Sequence, residues 1–256
     1  MPDVETVVPA PGGAHLWCRA EGEGPAVLLI AGLGADHTVW DAVLPSLARA
    51  RVIRYHQRGI GASSPLPAGF TTRDAARDAV AVLDGLGVER AHVYGHSLGG
   101  RIAQWVAADH PERVDRLVLG ATTVGDRTGV PRPAAATAAF ASGDPRAALE
   151  LSFTPAHLAA HPELLEQTDF HAHSPEQFAL QMAMSSAHDA AEALPLIAAS
   201  TLVVHGTDDG ITDARNAEIL RAGVADSALL LLSGLRHQYL DESPAANATV
   251  AGFLLG

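Results

Sequence analysis

Residues 26–30 form a continuous apolar run, and 51–55, 91–94, 114–119, 201–205 and 229–232 are further short runs rich in Val, Ile and Leu. A strand apolar on both faces must be covered on both faces, which is the situation of a parallel sheet sandwiched between helices. The intervening segments carry helical spacing. Val43, Leu44 and Leu47 share one face of 41–49. Ala75, Ala76, Ala79, Val82 and Leu83 share one face of 72–85, with Thr71 or Thr72 as a cap and Gly85 as a stop. Further helices are expected over 98–110, which halts before Pro111, and over 213–223. Residues 6–20 predict two strands around the turn Pro11-Gly12-Gly13. Strands alternating with helices define an α/β fold with a mostly parallel sheet.

The alternation lapses at residues 127–193, where Pro131, Pro133, Pro145, Pro155, Pro162 and Pro175 separate short helical patterns. The expected organisation is a core of residues 1–126 and 194–256 with a helical cap of 127–193 inserted in it. An insertion of this kind is where substrate selection is expected.

Composition removes several chemistries. All 17 basic residues are arginine, so pyridoxal, Schiff-base and P-loop mechanisms lack their lysine. A single cysteine, Cys18, excludes an internal disulfide and a multi-cysteine zinc site. The formal net charge of −12 opposes non-specific nucleic-acid binding. Met1 to Pro11 lacks the charged start and apolar run of a signal peptide, and the longest apolar stretch is broken by Gly32 and Gly34. The expectation is therefore a cytoplasmic protein without membrane or nucleic-acid partners, a monomer or small homo-oligomer acting on a small molecule.

The chemistry concentrates in Gly95-His96-Ser97-Leu98-Gly99, between a predicted strand and a predicted helix. A nucleophile elbow needs this context: the serine sits on a tight, strained turn, and glycines on both flanks avoid clashes. A serine hydroxyl also needs a base, and the base an orienting acid. The chain supplies them in the order Ser, Asp, His. Gly206-Thr207-Asp208-Asp209 follows the strand at 201–205, and Ser233-Gly234-Leu235-Arg236-His237 follows the strand at 229–232. Asp208 and Asp209 compete for the acid role, with Asp126 more distant. The backbone N–H groups of Leu98 and Leu33 are the expected oxyanion donors, and Gly32, His96 and Arg236 the expected substrate contacts.

Two other readings weaken on inspection. Gly32-Leu33-Gly34 lacks the third glycine of a dinucleotide fingerprint, since position 37 is His, and no acid follows at the required distance. The histidine pairs His157/His161 and His171/His173 belong to no metal-binding motif, so neither metal nor cofactor is expected.

These motifs, with Gln57-Arg58-Gly59-Ile60-Gly61-Ala62-Ser63, resemble the α/β-hydrolase superfamily over nearly the whole chain. The segments Leu83-Asp84-Gly85-Leu86-Gly87-Val88-Glu89-Arg90 and Pro111-Glu112-Arg113-Val114 are most similar to its small enol-lactonase-like and esterase members. The resemblance implies a sheet of about eight strands, a helical cap, no cofactor and Asp209 as the acid. Serine at 97, in place of aspartate, disfavours a dehalogenase or epoxide hydrolase. Three positions depart from the family pattern: Ala31 where His is frequent, His56 where Asp is frequent, and Arg236 where Gly is frequent. The expected function is hydrolysis of a small carboxylic ester or lactone through an acyl-enzyme. The alternatives are the same triad acting on a carbon–carbon bond, a thioester or an acyl acceptor, or a cofactor-free oxygenase or lyase with His237 as base.

Overall fold

A computed structural model describes residues 3–166 and 174–256. The described residues form an eight-stranded sheet in the order β1-β2-β4-β3-β5-β6-β7-β8. Its strands are β1 Val4–Ala10, β2 Ala14–Glu21, β3 Ala26–Ile30, β4 Arg51–Tyr55, β5 Ala91–His96, β6 Val114–Gly120, β7 Ser200–Gly206 and β8 Ser227–Leu232. β2 pairs antiparallel with both β1 and β4, and the pairings from β4 through β8 are parallel.

The runs at 26–30, 51–55, 91–94, 114–119 and 201–205 fall in inner strands of the sheet, where both faces are covered, whereas 229–232 falls in the edge strand β8, with Leu231 exposed. One face packs under α1 (Thr72–Gly85) and α2 (Leu98–Asp109), joined by α7 (Arg215–Gly223). The other is covered by Trp40, Val43 and Leu47 and by α8 (Tyr239–Glu242) and α9 (Pro244–Leu255). Thr71 caps α1 in a reciprocal box with Asp74, which selects between the two candidate threonines.

The helix expected over 41–49 does not form. One 3₁₀ turn, Leu44–Leu47, stands there instead, preceded by another at His37–Trp40. Pro45 has no N–H to donate to an α-helical acceptor, and the local bonds run from residue i+3 to i, such as Ser46 N–H to the Val43 carbonyl at 3.0 Å. The apolar spacing survives, since Val43 and Leu47 are buried and Leu44 is half-buried.

Between β6 and β7 the chain leaves the sheet as α3 (Ala134–Ser142), α4 (Pro145–Ser152), α5 (Pro155–Ala160) and α6 (Pro175–Ser186). Prolines begin α4, α5 and α6, and Asp144, Thr154 and Ser174 cap them. The two chain passages at the neck of this excursion touch through a bridge between Gly125 and Asp189. The helices dock on loops at the carboxyl ends of the strands. Gln181 of α6 reaches the loops after β3 and β4, and the end of α4 meets the loops after β7 and β8.

Candidate active site

The chain passes from β3 to β4 on one side and then crosses, through α1, to β5 on the other side of β3. That reversal opens a crevice at the carboxyl ends of β3 and β5, the position where open α/β sheets place their ligands. Ser97 stands at the end of β5 with φ of 56°, one of two non-glycine residues with positive φ among the described residues. Its neighbours explain how the turn closes. A Cβ on Gly99 would overlap the Ile30 carbonyl oxygen, and one on Gly95 would overlap the Gly99 carbonyl. The helix after the nucleophile therefore lies directly against β3 only because these positions lack side chains. Ser97 N–H donates to the Gly120 carbonyl at 2.8 Å, and the Thr122 hydroxyl donates to the Ser97 carbonyl at 2.7 Å.

Gly32 lies beside Ser97: a Cβ there would come 3.3 Å from Ser97 Cβ and 3.7 Å from Oγ. The loop is held from two sides. Gln57 Nε2 donates to the Ala31 carbonyl at 2.7 Å, and Gly34 N–H donates to Gln181 Oε1 at 2.9 Å. Among the described residues no hydrogen bond takes up the N–H of Leu33 or of Leu98. Both remain available as donors at a site flanked by the N-terminus of α2.

Asp209 and His237 meet where the loops after β7 and β8 converge. His237 Nδ1 is 2.8 Å from Asp209 Oδ2. Asp209 Oδ1 accepts the backbone N–H groups of Ile211 and Thr212, each at 2.8 Å, and His205 Nε2 lies 3.1 Å from Oδ2. Burial alone would raise the pKa of this carboxyl. The facing His237 and the hydrogen bonds from His205 and His237 outweigh it and hold the group well below the usual carboxylate range. Asp208, by contrast, is exposed and takes the Thr207 hydroxyl at 2.9 Å. Asp126 lies 3.8 Å from Arg101 and makes no contact with His237 among the described residues.

Two expected substrate contacts are placed elsewhere. His96 is 2% exposed, with Nε2 3.0 Å from the His237 carbonyl oxygen and its ring among Trp40, His237 and Tyr239. It hangs the His237 backbone from the residue before the nucleophile. Burial, reinforced by the His237 charge, pushes its pKa down to about 3, so it is neutral there. Arg236 donates to the carbonyls of Glu150 and Phe153 in and after α4, the latter at 3.1 Å. Its guanidinium binds the inserted helices, whose C-terminal carbonyls lack helical partners of their own. His171 and His173 lie outside the described residues.

Sequence reasoning did not single out Gln181, His205, Gln57 or Thr122 as site residues. His205 and Gln57 stood inside motifs already noted. Gln181 and Thr122 carried no sequence signal, since each reaches the site only through tertiary contact.

A parallel sheet with a strained serine after its fifth strand and an Asp–His pair after its last two strands is the architecture of an α/β-type hydrolase. The chain belongs to the alpha/beta hydrolase fold family, whose model matches residues 25–244. It is 32% identical over 253 residues, 94% of this chain and 95% of the relative, to "Putative carbamate hydrolase RutD" of Variovorax paradoxus (strain S110). A hydrolase from Pseudomonas aeruginosa PA01 superposes with a TM-score of 0.85 at 31% identity, covering 98% of each chain. The enol-lactonase of Burkholderia xenovorans LB400 gives a TM-score of 0.84 at 26% identity, covering 99% of this chain and all of that one. No described helix is long and apolar enough to cross a membrane.

Proposed function

We propose that the protein hydrolyses a small carboxylic ester or lactone by acyl transfer through Ser97, His237 and Asp209, without a cofactor. The observation that carries this reading is the 2.8 Å contact between His237 Nδ1 and the buried carboxylate of Asp209. That contact fixes the proton on Nδ1 and leaves Nε2 as the base. Ser97 Oγ gives its proton to Nε2 as it attacks the carbonyl carbon. The N–H groups of Leu33 and Leu98 donate to the resulting oxyanion. His237 then returns the proton to the leaving alcohol, freeing it or, in a lactone, opening the ring. Water repeats the sequence on the acyl-enzyme, with His237 again as base. Residues 127–193 serve as the cap that selects the acyl and alkyl groups, and the cytoplasm is the proposed compartment. A carbamate carbonyl, open to the same attack, is a second reading favoured by the near full-length likeness to a protein so named.

The test is burst kinetics with p-nitrophenyl acetate and butyrate on wild type and Ser97→Ala. The expected result is a p-nitrophenol burst followed by turnover in the wild type and neither in the variant. Turnover that persists in Ser97→Ala overturns the acyl-enzyme and moves the chemistry to His237 acting as a base alone. Comparing kcat/KM for p-nitrophenyl esters and N-alkyl carbamates separates the two readings.

A further inference from the structure

Apart from the triad, the described residues contain one group of metal-ligating side chains gathered from separate loops. Beyond Leu33 the chain after β3 reaches Asp36 and His37; the chain after β4 begins with His56. One ligand atom from each of Asp36, His37 and His56 lies within 4.8 Å of the others. His37 Nδ1 is 2.9 Å from His56 Nε2. Trp17 lies against both imidazoles, with ring centroids 4.6 and 4.2 Å away, and fixes their planes. Asp36 Oδ1 accepts the N–H and the hydroxyl of Thr38 at 2.8 and 2.6 Å, which leaves Oδ2 without a hydrogen bond among the described residues.

We propose that Asp36 Oδ2, His37 Nδ1 and His56 Nε2 form a three-ligand site for a borderline divalent cation, with Zn²⁺ the best fit and water completing the shell. Two imidazoles and a carboxylate are a zinc donor set, and three protein ligands leave one position open. Zn–N bonds near 2.0–2.1 Å put tetrahedral ligand atoms about 3.4 Å apart. The imidazole nitrogens would spread slightly, and a turn of the Asp36 side chain would bring Oδ2 inward.

Arg54 and Arg19 face the site, but each is paired: Arg54 with Asp41 and Glu21, and Arg19 with Glu21. Glu5, which accepts from Trp17 Nε1 at 3.1 Å, adds a further negative charge. A bound ion would tether the loop after β3 to the loop after β4. The proposal does not depend on the acyl-transfer reading.

The experiment uses tag-free, chelator-treated protein titrated with Zn²⁺ by calorimetry and with Co²⁺ by visible absorption. The expected result is one equivalent of each metal, with the intense d–d bands of low-coordinate cobalt that Zn²⁺ abolishes. His37→Ala and Asp36→Asn, at half-buried positions and checked for folding by circular dichroism, lose that absorption. His157→Ala, in the pair His157/His161 of the inserted helices, keeps it. No saturable uptake by the wild type, a cobalt spectrum that survives His37→Ala, or one lost in His157→Ala overturns the site.

Discussion

At the scale of single residues, the two neighbouring aspartates show how environment separates identical side chains. Both follow β7, yet Asp209 is buried and receives two backbone N–H groups and two imidazoles, whereas Asp208 is exposed beside Thr207. Asp209→Asn is therefore expected to lower kcat by about 10⁴, because an amide favours the wrong imidazole tautomer. Asp208→Asn should change it by less than a few-fold. Steady-state rates on p-nitrophenyl butyrate measure both. The Gly-x-Ser-x-Gly spacing was legible in the sequence because the turn physically requires it. The residues alone left Asp208 and Asp209 open and the family resemblance implied Asp209; it is the fold that turns that carboxylate inward.

At the scale of elements, the contacts of the inserted helices with the core decide what Arg236 and Gln181 do. Arg236 stood next to the base and offered a cation for an anionic substrate. Its hydrogen bonds to the Glu150 and Phe153 carbonyls instead make it a clamp on α4. Arg236→Ala is expected to lower the melting temperature by about 2–4 °C, the loss of about 1 kcal/mol in a chain of this size. It should leave the ratio of kcat/KM for anionic over neutral esters unchanged, and a selective loss of the anionic esters would contradict the clamp. Gln181 binds both Gly34 N–H and the Arg58 carbonyl, the latter at 3.1 Å, so Gln181→Leu strands two polar groups. A loss of about 1–3 kcal/mol is expected in denaturant unfolding, with a fall in kcat as the loop carrying Leu33 loosens. Helix boundaries were legible where caps and prolines punctuate the chain, as at Thr71 and Pro111. The segment 41–49 was misread because its apolar spacing suits a helix while Pro45 removes a donor.

At the scale of the molecule, burying histidines couples stability to pH. His188 is 4% exposed, its Nδ1 2.8 Å from the Thr72 hydroxyl. Burial and the Arg101 charge push its pKa down to about 3 from 6.5. Between those values the unfolded chain binds a proton that the folded chain does not, so this residue makes stability rise with pH across the window. His188→Gln is expected to reduce the slope of unfolding free energy against pH by about 1.4 kcal/mol per unit between pH 4 and 6. Urea titrations at several pH values read it directly, and an unchanged slope would contradict the burial argument. His56 and His96, pushed down to about 4 and 3 by burial, act in the same direction.

The sequence by itself determined the class of fold, the candidate nucleophile and the chain order of its candidate partners. These rest on local requirements: apolar runs that demand cover on both faces, glycines that a strained turn demands, and a chain order in which each group follows a strand. Tertiary structure alone turned Asp209 inward and Asp208 outward, set His96 against the His237 backbone and Arg236 on α4, and carried Gln181 to the loop after β3. It alone brought Asp36 and His37 against His56. Each of these depends on which loops converge at the carboxyl edge of the sheet, and no spacing along the chain encodes a distance between β3 and β4, or between α6 and β3.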